Sequence, residues 1–199
     1  MLKIIIFISS AVYPVLAASL IPTMLYGFYE KDYFYANSLV ILLVSTLVFS
    51  FLIRKNILPT RKLTKIQGFG AVGISWILIS AYGTIPYLLS NINLSFIDIL
   101  FETISGFTTT GSSILSDIES VSASLLIWRS TTQWLGGMGI VVLTITVLPL
   151  LGSGGINLFK AESPGPTADR FTPRFQDTAK LLWVVYSGLT LLETVMLYF

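Results

Sequence analysis

The residues in this chain best suited to chemistry are Thr108, Thr109, Thr110, Gly111 and Ser112, an unbroken run of hydroxyl residues and one glycine. Hydroxyl and backbone carbonyl oxygens are hard ligands, and a row of them facing one way can replace the water shell of an alkali cation. Gly111 permits the backbone angle that turns successive carbonyls to the same side. The run follows Ser95 to Phe107, thirteen residues that as a helix would reach about 20 Å, roughly half to two-thirds of a hydrocarbon core. Ser95 is a good N-cap, and Asp98 and Glu102 lie in the first two turns, where carboxylates favour the positive helix end. Such a helix is expected to enter a bilayer, aim its negative end inward and stop. Unpaired backbone at that depth must be buried in protein or line a wet cavity. The plain alternative is an outer loop rich in serine and threonine, with Gly106 ending a helix.

The surroundings of the run are those of a membrane protein. The chain has 199 residues, of which 54% are hydrophobic and 11% charged, and its mean hydropathy is +0.81, well above the needs of a soluble core. It contains no cysteine and no histidine, which excludes disulfides, thiolate metal sites, Ser-His hydrolysis and histidine ligation. Ser105 could serve an intramembrane hydrolase only with a base, and no histidine or intramembrane lysine supplies one. The chain is therefore not expected to be an enzyme or to carry a cofactor. A net charge of +2, without a basic patch interleaved with aromatics, points to no nucleic acid.

An all-α polytopic membrane fold follows from the apolar runs. The first, Ile4 to Phe28, begins after Lys3 like a signal peptide, but it continues past the ~15 apolar residues of a signal core and reads as a span. Pro14 and Pro22 within it are tolerated as kinks. A second span covers Ala36 to Ile53, eighteen residues without a charge. The next segment holds Arg54, Lys55, Arg61, Lys62 and Lys65 with no acid and is expected to be cytoplasmic. A third span, Gly68 to Leu89, then runs outward. Between Ser90 and Ser120 the charges are Asp98, Glu102, Asp117 and Glu119 alone, as an outer segment would have. A fourth span, about Leu125 to Leu151, returns to a loop with Lys160, Arg170, Arg174 and Lys180. Leu181 to Phe199 heads outward again and stops without a polar tail, which suggests truncation. The chain thus divides into an N-terminal helix pair with its basic loop (1–65), a unit of span, pore helix, filter loop and span (66–151), a cytoplasmic linker (152–177) and the first span of a further unit (178–199). The N-terminus is expected inside the cell.

Beyond the filter-like run, Gln133-Trp134-Leu135-Gly136-Gly137-Met138-Gly139-Ile140, Leu148-Pro149 and Ala161-Glu162-Ser163-Pro164-Gly165-Pro166 stand in order along the chain. With Gly106-Phe107-Thr108-Thr109-Thr110-Gly111 they resemble the TrkH/KtrB potassium transporters, and more closely the TrkH/TrkG branch, which has two extra N-terminal helices. The resemblance covers most of the chain from Gly68 onward. It implies a potassium-channel-like fold in which four repeats of span, pore helix and span surround one pore, each giving one filter strand. It places K+, as transported ion, at Thr109, Thr110 and Gly111. Thr110 stands where channels have valine and Ser112 where they have tyrosine, so a looser filter is implied. It also implies a bacterial inner-membrane location, a homodimer, a nucleotide-binding regulatory subunit of the TrkA type, and reliance on the remaining repeats. One strand cannot enclose an ion, so these residues are not expected to conduct alone.

Other residues bear on the same reading. Gly136, Gly137 and Gly139 in the fourth span allow close helix contact or a bend. Arg129, one turn from Gln133, is expected to snorkel to the interface or pair with Glu102, Asp117 or Glu119, with a role at the pore mouth as the alternative. Glu193 in the last span is expected to form a helix-helix hydrogen bond. Trp76, Trp128, Trp134 and Trp183, with Tyr26, Tyr29, Tyr33 and Tyr35, are expected to form interfacial belts. A competing class is a secondary transporter of another fold, whose broken helix binds an anionic substrate. It calls for a helix N-terminus at the site, whereas here the helix comes first and the glycine turn second.

Overall fold

The computed structural model describes residues 6, 10, 12–57, 65–147 and 171–198, and every regular element among them is α-helical. The basic residues Arg61 and Lys62 and the motifs at Leu148-Pro149 and Ala161 to Pro166 lie outside the described residues. The chain forms two compact units, Met1–Gly136 and Gly137–Phe199.

The first unit opens with a helical hairpin. Helix α1 spans Tyr13–Tyr29, with Pro14 in its first turn, where no amide hydrogen is needed. It ends at Lys31, which is left-handed (φ 63°). The amides of Lys31 and Asp32 turn back to the carbonyls of Phe28 and Gly27, at 3.2 and 3.0 Å. Asp32 at once caps helix α2, Tyr33–Asn56, its Oδ1 accepting from the Tyr35 amide at 3.1 Å. Gly27 lies against Ala36, so the two helices meet closely at the turn. On α2, Tyr35, Ala36, Leu39, Thr46 and Ser50 are buried, whereas Ile41, Val44 and Phe51 are exposed. An apolar helix with one face in protein and the others outward suits lipid, where the outer face needs no polar cover.

The third predicted span is broken. Helix α3, Lys65–Gly83, gives way at Thr84 to the short α4, Ile85–Leu89, where Pro86 supplies no amide donor. The Thr46 hydroxyl of α2 pairs with the Tyr82 hydroxyl at 3.0 Å. Helix α5, Phe96–Phe107, is the short helix expected from the sequence, and helix α6, Ala123–Val147, is the long one after the loop. The core joins Leu16 and Leu20 of α1, Tyr35 and Leu39 of α2, Tyr82, Tyr87, Ile99 and Phe107, and Leu125 and Trp128 of α6. Trp128 and Tyr35 are thus core residues rather than members of an interfacial belt. Trp128 is fully buried and its indole nitrogen donates to the Gly83 carbonyl at 3.0 Å, at the helix break. Glu30, in the first turn region, accepts from the Ser124 hydroxyl at 2.5 Å. That bond joins two segments the charge pattern assigns to the same membrane side.

Among the described residues, Tyr33–Asn56, Val72–Leu89 and Lys180–Tyr198 are long and apolar enough to cross a membrane. In the second unit, helix α7 runs from Phe171 to Tyr198. It therefore begins inside the segment read from sequence as a linker. Pro173 in its first turn is compatible with a helix start.

Candidate functional site

Helix α5 is built to be short. Ser95 and Asp98 form a capping box: the Ser95 hydroxyl accepts from the Asp98 amide, and the Asp98 carboxylate accepts from the Ser95 amide at 3.2 Å. Twelve residues give about 18 Å, too little to cross a bilayer. Ile99, Glu102, Thr103, Ser105, Gly106 and Phe107 are buried, while Phe96, Ile97, Phe101 and Ile104 are exposed.

The helix closes through three successive amides. Thr108 donates to the Ile104 carbonyl at 2.9 Å, Thr109 to Gly106 at 3.0 Å and Thr110 to Ser105 at 3.0 Å. The last two bonds are a Schellman ending, which requires a left-handed residue at Thr109, where φ is 56°. Thr108 has φ −82°, Gly111 has φ 76°, and Thr110 between them does not have a positive φ. The sign of φ therefore alternates from Thr108 to Gly111. In an ordinary strand φ keeps one sign and successive carbonyls point to opposite sides, so this run departs from strand geometry. Among the described residues no hydrogen bond ends on the carbonyls of Thr109, Thr110 or Gly111. The flanking carbonyls are engaged: Thr108 accepts from the Thr109 hydroxyl at 2.7 Å, and Ser112 from the Ser105 hydroxyl at 2.6 Å. The carbonyls at the three positions assigned to K+ from sequence are thus free, and Thr108 to Ser112 are exposed. Ser112, included among the expected ligands, has its carbonyl held toward α5.

The exit of the loop is fixed by one carboxylate. Glu102, 1% exposed, accepts through Oε1 from the Ser113 hydroxyl and the Ile114 amide, each at 2.6 Å. Its Oε2 faces Arg129 Nε at 3.0 Å. Of the three acids expected as partners for Arg129, Glu102 is the one it meets.

Glycines let α6 and α3 approach this assembly. A Cβ at Gly136 would strike the Phe107 carbonyl, and one at Gly106 would strike the Thr132 hydroxyl. At Gly83 it would lie 2.5 Å from the Phe107 ring and 2.6 Å from the Thr103 methyl. A Cβ at Gly111 would meet Gln133 Nε2 in ordinary contact, at 3.9 Å. In the second unit, Gly137 accommodates the Tyr186 hydroxyl, 2.7 Å from an added Cβ. Gly139 is partly buried on α6, and Glu193 lies on an exposed face of α7.

The family model described as TrkH, cation transport protein, matches residues 34–199. The chain belongs to the TrkH cation transport family. It is 39% identical over 176 residues to the Trk system potassium uptake protein TrkG of Escherichia coli K12, covering 85% of this chain and 35% of that protein. It is 41% identical over 147 residues to TrkH of the same strain, covering 71% of this chain and 30% of that protein. The crystal structure of the potassium transporter TrkH from Vibrio parahaemolyticus superimposes with a TM-score of 0.77 at 28% identity, covering 96% of this chain and 38% of that one. The TrkH-family chain thus spans about a third of the length of these relatives. It is a helical polytopic membrane protein, as its composition requires.

Sequence reasoning did not find the left-handed Thr109, the hold of Ser105 on Ser112, or the bonds from the loop to Glu102. A signal existed for the last: a carboxylate in the middle of an apolar half-helix, three residues before Ser105, must face a donor.

Proposed function

We propose that this chain supplies one of four filter strands of a potassium uptake pore in a bacterial inner membrane, with its N-terminus cytoplasmic. The carbonyls of Thr109, Thr110 and Gly111 replace water around a dehydrated K+, with Thr108 and Ser112 flanking them. The observation that carries this reading is the conjunction of an alternating sign of φ and unbonded carbonyls at the C-terminal end of a helix too short to span. Helix carbonyl ends attract cations, and the membrane potential, about 2.3 kcal/mol per charge per 100 mV, drives them inward. The same geometry favours a cation over the anionic substrate of a broken-helix transporter, which calls for a helix N-terminus at the site. The related proteins are potassium uptake systems, which supports potassium as the ion. By the same resemblance, the working assembly is a homodimer of complete subunits in the lipid bilayer with a TrkA-type nucleotide-binding regulator.

The test is a chimera in which this chain replaces the aligned segment of Escherichia coli TrkG, made in cells lacking their own potassium uptake. Growth at low potassium restored by the chimera, and not by the 199 residues alone, is the expected result. Potassium flux through the 199 residues alone would contradict the one-strand reading.

A further inference from the structure

We infer that Glu102 is the positioning residue of the filter loop, and that Arg129 serves it by compensating its charge in a buried site. The loop leaves the filter through Ser113 and Ile114, and both donors end on one oxygen, Glu102 Oε1, at 2.6 Å. Within the loop, the Ser113 hydroxyl accepts from the Leu115 amide at 3.1 Å, which ties the exit only to itself. On the entry side, the loop is tied to α5 by the amides of Thr108, Thr109 and Thr110. Ser105 holds the Ser112 carbonyl from the same helix, three residues beyond Glu102. Both legs are therefore tied to α5, and the carbonyls of Thr109 to Gly111 are suspended between them.

The second carboxylate oxygen explains Arg129. A buried carboxylate with no compensating charge is costly, and Glu102 has a side-chain exposure of 0% against 19% for Arg129. Arg129 meets Glu102 from α6, and among the described residues its side chain makes no hydrogen bond to the loop itself. Other charged groups near the loop, Asp117 and Glu119, are exposed and bond their own turn: Asp117 accepts from the Glu119 amide at 3.1 Å. Two duties are thus divided between the oxygens of one carboxylate, with Oε1 holding the filter and Oε2 meeting the cation. Removing the ion pair while keeping an acceptor for Ser113 and Ile114 should spare the filter. Keeping the ion pair while removing the acceptor should not.

This inference rests on the filter reading of Thr109 to Gly111, and the experiment separates the two. In the TrkG chimera, K+ over Na+ uptake is measured for five variants, Glu102→Ala and Gly111→Ala among them, with membrane protein quantified for each. The neutral pair Glu102→Gln with Arg129→Gln keeps an amide oxygen for the loop and is expected to hold selectivity within about twofold of the parent. The reversed pair Glu102→Arg with Arg129→Glu keeps opposite charges but offers donors to donors, and is expected to lower selectivity by roughly tenfold. Ser113→Ala removes one of the two bonds and is expected to fall between them. Native selectivity in the reversed pair, or loss in the neutral pair as deep as in Glu102→Ala, would overturn the assignment. If the reversed pair does not reach the membrane, the neutral pair and Ser113→Ala decide alone. Gly111→Ala is the control: if it leaves selectivity intact the filter reading itself fails, whereas its loss beside an unaffected reversed pair removes only the role of Glu102.

Discussion

Helices α1 and α5 end by the same device and lead to opposite results. Each closes through a Schellman pair of hydrogen bonds around a left-handed residue that is not glycine, Lys31 in one and Thr109 in the other. After Lys31 comes Asp32, whose carboxylate caps the next helix within one turn. The chain reverses directly into α2, although among the described residues no hydrogen bond ends on the carbonyls of Tyr29, Glu30 or Lys31 either. After Thr109 come Thr110 and Gly111, and no cap follows. A second left-handed residue prolongs the irregular backbone instead, and its exit is held from behind by Glu102. The lesson is that the helix ending does not make a site. Unbonded carbonyls occur at both turns; what sets the second apart is that no cap follows, a second positive-φ residue, Gly111, prolongs the irregular backbone, and Glu102 holds its exit.

That contrast can be broken from either side. The largest effect is expected for Glu102→Ala, which leaves Arg129 unpaired and frees both loop donors. Loss of one partner of a buried pair costs about 3–5 kcal/mol, so thermal unfolding of the chain in lipid nanodiscs should shift down. Hydrogen exchange at Ile114 and Leu115 should quicken, while Asp32 and Tyr35 amides keep their protection. Next comes Gly136→Ala, whose methyl would meet the Phe107 carbonyl. Overpacking of this kind costs about 1–3 kcal/mol, seen as a lower unfolding temperature with the hairpin again unaffected. Asp32→Ala works in the other direction: loss of an N-cap costs about 1 kcal/mol, exchange should rise at Tyr35, and the filter loop should be untouched. The smallest effect is expected from relieving the left-handed residues. Lys31→Gly and Thr109→Gly remove a side-chain penalty of about 1–2 kcal/mol, offset in part by glycine's greater freedom when unfolded. A small rise in unfolding temperature is expected for both, larger for the β-branched Thr109.

Much of this was legible in the residues. The capping of α5 by Ser95 and Asp98 and its end at Phe107 follow from local rules, because a cap and an ending act within a few residues. The apolar runs gave the cores of α2 and α3 for the same reason. What was not legible depends on long-range contacts. That Trp128 fills the core and bonds the Gly83 carbonyl needs α3 and α6 brought together, which hydropathy does not encode. That Arg129 selects Glu102 over Asp117 and Glu119 depends on which acid faces α6. Thr109 hides because threonine normally avoids a positive φ, and only the hydrogen bonds of the helix end require it there.

The central claim is that Thr109 to Gly111 present their carbonyls to an ion because the sign of φ alternates. Gly111 tests it most directly, since an added methyl would make one ordinary contact, 3.9 Å from Gln133 Nε2, and no clash, so that its effect falls on the left-handed backbone angle. In the TrkG chimera, Gly111→Ala should reach the membrane at parent levels and lose most K+ uptake or its preference over Na+. Uptake with unchanged rate and selectivity would contradict the account.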